Sequence, residues 1–569
     1  MGGIAGWIGA GALVEDAAMG PMLQALAHRG RGEGGAVCMR RGLLGAPGPQ
    51  PLHDAQAGLA VVLDGEIANR DELRAQLAPR GYRFEGSGSA EVLLRAYQHW
   101  DKDVVKRLRG GFAAALWDER KERLLLARDR FGEKPLHLHE AQGRLCFASE
   151  AKALLAHPGI AARLDLRSLA ELLRYRYVPG PRTLFEGIRR LAPGSYALWQ
   201  FGRLREVRYW TPPDREPLRQ GPLAADPVEA FIAQLDEAVR LRAADGAPGL
   251  FLGGGFDSAA LLALMARQGV QVRSFTAGLA GAAELAGAAR AAKHFGAEHH
   301  ELELSPGELA AELPRAVAAR DAPLARPSEL ALQLLSRAAA RKVGAVLTGD
   351  GGDEILGGYR RHAAECLAGA FCDLLGDARS RWARWGGGLN PRIRESLLIE
   401  KTDQTEQGFD ADPRASRLRR MLYFEQCAWL PELLERADRI PMSASLEARA
   451  PFLDHRLAEH VSALPDALRV RGLATKWILR QAARRLVPRA AAAPRKGGFG
   501  IRAGGWLRGE LRESLLEHLR GAGSRMRAYF NPAALDRVLD EHLSGRRQHE
   551  ELLWTLLNLE IWHRKYRLA

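Results

Sequence analysis

Gly249-Leu-Phe-Leu-Gly-Gly-Gly-Phe-Asp-Ser258 decides how this chain is read. Leu250-Phe251-Leu252 is a short apolar run, expected as a buried strand. Gly253, Gly254 and Gly255 follow, then Asp257 and Ser258, then the apolar helical run from Ala259 to Arg267. Strand, glycine turn and helix, in that order, aim backbone N–H groups at a phosphate. The three glycines have no Cβ, so they are expected to approach an anion closely and to take φ > 0. Asp257 stands where a carboxylate would hold a Mg²⁺ that bridges phosphate oxygens. No Gly-Lys-Ser/Thr follows, so this is not a Walker loop. A ligand-free glycine turn is the ordinary alternative, and the rest of the chain chooses between them.

Moving downstream, Asp226 caps a helix that has Pro227 in its first turn. Strand and helix then alternate: 249–252, 259–268, a strand from Val272, a helix around 284–295, and the strand Val343-Gly-Ala-Val-Leu-Thr348. This alternation predicts an α/β doubly wound parallel sheet, with ligands at the carboxyl ends of its strands. A second acidic glycine loop, Thr348-Gly-Asp-Gly-Gly-Asp-Glu-Ile-Leu-Gly-Gly-Tyr359, follows the last of these strands. Asp257 and Asp353 are thereby placed to share one hard cation, with Gly349 beside the nucleotide.

Upstream, residues 1–210 read as a β-rich layer structure with a few helices. Leu59-Ala-Val-Val-Leu-Asp64 is a strand, and residues 111–118 and 123–129 form a hairpin-like pair. Asn69 and Ser89 are read as caps of two short helices. The proline-rich, polar stretch 211–226 marks a boundary, leaving 227–569 as the second domain.

Composition sets the outer limits. A chain of 569 residues with 47% hydrophobic and 26% charged content builds more than one core and is not globally disordered. No apolar run approaches the ~18 residues of a membrane helix. Met1-Gly-Gly-Ile-Ala-Gly-Trp7 has neither a basic start nor a signal-type core, so a cytoplasmic location is expected and no membrane partner. The five cysteines are scattered and include no CxxC pair, which argues against zinc and disulfides and for ordinary buried thiols. A net charge of +14 raises nucleic acid as a partner, but the arginines are spread along the chain rather than clustered with aromatics. No nucleic-acid partner is therefore expected.

Several long motifs also carry a family resemblance. Gly3-Ile-Ala-Gly-Trp, His28-Arg-Gly, Gly65-Glu-Ile, Glu91-Val-Leu-Leu, Ala127-Arg-Asp-Arg-Phe-Gly-Glu-Lys-Pro-Leu and Phe147-Ala-Ser-Glu-Ala-Lys-Ala-Leu-Leu resemble the glutaminase half of asparagine synthetase B, in that family's order. The resemblance implies an α+β N-terminal nucleophile-type sandwich followed by an ATP-pyrophosphatase domain. Four positions depart from it. Gly2 stands where the family has its cysteine nucleophile. The loop Leu44-Gly-Ala-Pro-Gly-Pro-Gln-Pro51 lacks the arginine that grips glutamine. Asp64 replaces an asparagine that serves as oxyanion donor, and Ser89 replaces an aspartate that holds the substrate amine. Together they lead to the expectation of a folded but inactive glutaminase domain.

In the second half, Gly253-Gly-Gly-Phe-Asp-Ser258 resembles the pyrophosphate loop of ATP pyrophosphatases, with Gly253 where the family usually has serine. The resemblance implies ATP and Mg²⁺, with Asp257 and Asp353 as metal ligands. Leu252 and Ser274-Phe-Thr276-Ala-Gly would then line the adenine pocket. Asp438-Arg-Ile-Pro-Met-Ser-Ala-Ser-Leu-Glu447-Ala-Arg449 resembles the substrate-side segment, and Pro494-Arg-Lys496-Gly-Gly-Phe-Gly the mobile loop whose lysine reaches the phosphates. Asp350 or Glu447 would take the amine proton, and Lys476 is a weaker anion-binding candidate.

The implied chemistry is carboxylate adenylation followed by amide formation. With no internal ammonia, the amine must come with a substrate. Relatives of that kind are the β-lactam synthetases and the lasso peptide cyclases. β-Lactam synthetases have a tyrosine where this chain has Asp350, so the expectation is macrolactam closure of a peptide, with a leader-peptide-binding or protease partner. Ammonia-dependent asparagine synthesis and a catalytically silent binding homologue are the alternatives. An oligomeric state is not fixed by the residues, and a homodimer is compatible with them.

Overall fold

The computed structural model describes residues 2–568 apart from 10–15, 31, 33, 219–220, 222, 245, 280, 368–379, 383–396, 399–409 and 489–502. The first half holds two six-stranded antiparallel sheets. One runs Ile188–Arg190, His137–Ala141, Arg144–Ala148, Ala5–Gly9, Gly42–Ala46, Gly35–Met39. The other runs Arg203–Arg208, Ser195–Gln200, Arg123–Arg128, Phe112–Asp118, Leu59–Gly65, Leu52–Asp54. In the strand Arg123–Arg128, the run Leu124-Leu125-Leu126 is apolar at successive positions. Leu124 and Leu126 pack between the sheets with Ile8 and Phe147. Leu125 faces the other way, into the cluster that holds Leu93, Leu94 and Tyr97 of the helix Ser89–Trp100. A strand covered on both faces has no solvent side to keep polar, and burying each leucine contributes about 2 kcal/mol.

The hairpin 112–128 forms as read, with Leu116 opposite Leu125. Both cap assignments in this half need correction. The helix Arg70–Leu77 begins after Asn69, but the Asn69 side chain accepts from Arg109 N at 2.8 Å and donates to Arg107 O at 3.0 Å, making no cap bond. Ser89 lies inside its helix, with Gly88 at the cap, and its hydroxyl accepts from Ile67 N at 3.3 Å. Each polar side chain bonds the backbone of a segment distant in sequence instead of capping the N–H groups of its own helix. The cap at Asp226 forms, accepting from Val228 N at 3.0 Å and Glu229 N at 3.1 Å.

The stretch 211–226 is more than a tether. Asp214 is buried in the turn Pro213–Arg215 and bridges Arg469 at 2.9 Å while accepting from Gln426 and Ser462. Of the cysteines, Cys146 is buried, whereas Cys38 and Cys366 are exposed and Cys427 half-buried; Cys372 lies outside the described residues. The expectation of uniformly buried thiols is corrected accordingly.

The second half is organised on a five-stranded parallel sheet, in the order Glu298–Leu304, Arg273–Leu279, Gly249–Phe251, Ala345–Leu347, Glu447–Arg449. The chain leaves Gly249–Phe251 to build outward on one side, then returns to build on the other. The strand order therefore reverses beside Gly249–Phe251, and a crevice opens beyond its carboxyl end. Both acidic glycine loops empty into that crevice. Among the described residues, no helix is long and apolar enough to cross a membrane.

Candidate functional site

The crevice is a cleft of about 320 Å³. Leu252 to Gly255, Asp257 and Ser258 form one wall, and Thr348, Gly349 and Asp350 another. Phe251, Phe275, Ala277, Leu332 and Leu335 give it an apolar end, a shape suited to a purine ring. Thr276 sits in that wall with its hydroxyl donating to Leu252 O.

Gly253, Gly254 and Gly255 do not take positive φ, contrary to the expectation. Their value is space. A Cβ at Gly253 would meet nothing nearer than Ser258 Oγ at 3.9 Å, so the loop presents bare backbone to the cleft. Ser258 ties the loop down: its hydroxyl accepts from Gly253 N at 3.1 Å and donates to Gly253 O at 2.9 Å. The helix Phe256–Arg267 then starts at Gly255, pointing its first N–H groups and its dipole at the same place.

Asp257 and Asp353 converge. Both carboxylates contact one group, the ammonium of Lys476, at 2.5 Å and 2.8 Å. Lys476 is buried, with left-handed backbone at φ 50° ahead of the helix Trp477–Leu486. Burial works against its charge, but the two carboxylates outweigh it and raise its pKa. Glycines make this approach feasible: a Cβ at Gly358 would lie 1.8 Å from Asp353 Oδ1 and 2.2 Å from Lys476 Cε. Two carboxylates aimed at one point, open to a phosphate-bearing cleft, fit Mg²⁺, which is commonly held by one or two carboxylates plus substrate phosphates. In this structure the lysine ammonium marks that point.

Asp350 faces the cleft, and Arg436 Nη2 reaches its Oδ1 at 3.4 Å from the helix Leu430–Met442. Arg436 was not legible in sequence, because an arginine on an amphipathic helix carries no signal of its own. The same holds for Glu284, which lines the cleft beside Gly254 and whose carboxyl burial pushes up. Glu447 is not brought to the cleft. It is buried on the edge strand with Arg449 Nη2 at 3.4 Å; against the cost of burial, Arg449 and Lys134 hold its carboxyl at about 2. Such an acid is a poor proton acceptor. Lys496 lies outside the described residues.

The front pocket, around Gly2, is closed by side chains. Gln50 clamps the strand beneath it, accepting from Leu63 N at 2.7 Å and donating to Leu63 O at 2.9 Å. A Cβ at Gly2 would lie 3.0 Å from that same Leu63 O. Asp64 Oδ2 accepts from Ser149 Oγ at 2.7 Å and pairs with Arg29 at 3.0 Å. Arg29 is fully buried and also pairs with Glu150 at 2.6 Å and with Asp438, of the second half, at 2.8 Å. Lys134 meets Asp438 from the other side at 2.8 Å. A small void then separates Asp438 from Asp350. A chain of buried ion pairs thus runs from Arg29, whose Nε donates to Gly2 O at 3.4 Å, as far as Asp438.

Comparison with known proteins gives matches to two families. Residues 230–564 match asparagine synthase, and residues 1–210 match the glutamine amidotransferase domain. A putative asparagine synthetase (glutamine-hydrolyzing) from Mycobacterium tuberculosis (strain ATCC 25618 / H37Rv) is 33% identical, over 90% of this chain and 86% of that protein. Asparagine synthetase (glutamine-hydrolyzing) 1 from Bacillus subtilis (strain 168) is 27% identical, over 91% of this chain and 87% of that one. Among solved structures, glutamine phosphoribosylpyrophosphate amidotransferase from B. subtilis aligns with a TM-score of 0.27 and 14% identity, covering 61% of this chain and 81% of that chain.

Proposed function

The chain belongs to the asparagine synthase family, an ATP-dependent carbon–nitrogen ligase behind a glutamine amidotransferase-type domain, and from that premise we propose that it closes a peptide macrolactam without hydrolysing glutamine. The convergence of Asp257 and Asp353 at the mouth of the glycine-walled cleft carries the ligase reading. The front pocket supports the rest: Gly2 offers no nucleophile, and Asp64 is committed to Arg29 and Ser149 where an oxyanion donor would be needed.

The chain's residues divide the work as follows. The apolar end of the cleft seats the adenine. Gly253 to Gly255 and the helix behind them receive the pyrophosphate as a substrate carboxylate attacks the α-phosphorus. Asp257 and Asp353 would hold Mg²⁺, which supplies charge neutralisation on the phosphates. The amine attacks the acyl carbon, AMP leaves, and Asp350, steered by Arg436, accepts the amine proton. By resemblance, Lys496 covers the phosphate charge. The substrate is a peptide carrying both a carboxylate side chain and an amine; a leader-binding or protease partner would deliver it.

Two assays test this. Incubation with glutamine, Mg²⁺ and ATP is expected to release no glutamate in step with AMP formation. Incubation with aspartate, ammonium and ATP is expected to give no asparagine; robust asparagine formation would reject the peptide reading. ATP–pyrophosphate exchange dependent on a carboxylate substrate separates both ligase readings from a silent binding protein.

A further inference from the structure

The helix Leu430–Met442 separates two cavities. Arg436, Ala437 and Pro441 face the nucleotide cleft, while Pro431, Glu432 and Glu435 face a larger cavity of about 480 Å³ on the opposite side. The front half contributes its other wall through Val178, Leu191 and Pro193. Its size and mostly apolar lining are those of a small-molecule site.

Its charge is unbalanced. Five arginines line it (Arg128, Arg130, Arg189, Arg190 and Arg208) against Glu206, Glu432 and Glu435. Two of the five are matched: Arg189 pairs with Glu206 at 2.5 Å, and Arg190 with Glu435 at 3.0 Å. Glu432 is drawn off by Arg320, and Glu435 is shared with Arg439 at 2.7 Å. Arg128 is buried and donates only to the backbone carbonyls of Lys134, Leu191 and Gly132. Arg130 likewise donates only to Leu108 O and Lys106 O, and its Nε is buried with no hydrogen-bond partner among the described residues. Burial pulls the Arg128 pKa down to about 10, although Asp129 and Glu435 lie near enough to oppose the shift. Arg208 is exposed, at the end of its strand, with no carboxylate within ion-pair distance among the described residues. Arg128 and Arg130 thus sense carboxylates only through space, and an anion supplied from outside would add favourable charge to a lining that holds more arginines than glutamates.

We propose that this cavity is a second ligand site, for an organic anion with an apolar body and a single carboxylate or phosphate headgroup that meets Arg208 at the mouth and the field of Arg128 and Arg130 within. It is separate from the cleft and shares only the helix with it.

The full-length protein can be titrated with 8-anilinonaphthalene-1-sulfonate, whose apolar rings and single anionic group match this description. Binding is expected to persist with saturating ATP and Mg²⁺, and to weaken at least about tenfold in Arg208→Glu, which replaces a charge-assisted contact with a repulsive one. Arg208 is exposed, so unchanged circular dichroism is expected in that variant. 1-Naphthyl phosphate and 1-naphthoate compete in separate arms, and whichever binds tighter identifies the headgroup; neutral 1-naphthol is expected not to compete. The competitor that binds should also slow methylthiolation of Cys427, which lines the cavity, with the exposed Cys366 unaffected. Displacement of the dye by ATP, an unaltered affinity in Arg208→Glu, equal competition by naphthol, or an unprotected Cys427 would each overturn the proposal.

Discussion

Gly253 occupies a position with room for a side chain and a phosphate ahead of it, so Gly253→Ser adds a donor without a clash. ATP affinity is expected to tighten about tenfold, the value of one hydrogen bond to a charged group, read as KM for ATP in pyrophosphate exchange. Glu447 makes the opposite kind of test, of pH rather than ligand. Its folded pKa of about 2 lies below the ordinary 4.5, so its stabilisation is present above 4.5 and lost as pH falls towards 2. The shift corresponds to about 3 kcal/mol. In Glu447→Gln, the free energy of unfolding should change less than in the wild type between about pH 5 and about pH 3, measured by urea titration. These two residues also show how far the site was legible. Asp257 and Asp353 stand out in the sequence because a glycine-flanked carboxylate after a strand has few structural uses, and the structure brings both to the Lys476 ammonium. Glu447 misled because its motif position says nothing about Lys134, which approaches it from 313 residues away. Lys476 was placed too low, since no local pattern reveals that a lysine in a turn will reach two distant carboxylates.

Among elements, alternation of strand and helix was readable where a strand has its own short apolar run, as at 249–252, 272–277 and 343–348; the outer strands Glu298–Leu304 and Glu447–Arg449, EHHELEL and EAR, carry no such run and were not read. The caps at Asn69 and Ser89 were not readable, because what recruits them, Arg109 N and Ile67 N, comes from other segments. The proline-rich stretch 211–226 has the composition of a linker, yet Asp214 anchors it between Arg469, Gln426 and Ser462. Asp214→Ala takes the nearer carboxylate from buried Arg469, leaving it only Asp466 at 3.4 Å, at a cost of up to about 3–5 kcal/mol. Limited proteolysis is expected to cut this variant within 211–226 well before the wild type; equal resistance would mean that the prolines alone hold the segment.

Across the whole molecule, the two halves share an apolar core, in which Phe185 packs on Trp562, and they are also joined by buried charge. Besides Arg29 and Lys134 on Asp438, Arg109 meets Asp454 at 2.9 Å, Arg449 meets Glu66 at 3.1 Å, and Arg242 pairs with Glu133. Half of each pair belongs to each side, so neither side is electrically complete alone. Calorimetry is expected to show one unfolding endotherm, and Arg29→Leu to shift the whole of it to lower temperature, with a loss of about 3–5 kcal/mol from breaking a buried ion-pair network. Two separated transitions, with only the first moved, would show halves that fold independently. Asp438 is neutralised wholly from the front half, by Arg29 and Lys134, while sitting on the helix that carries Arg436 into the cleft. A lineage carrying this arrangement has lost the option of shedding its front half, whether or not that half still does chemistry, because each step of truncation would strand a charge at the heart of what remains.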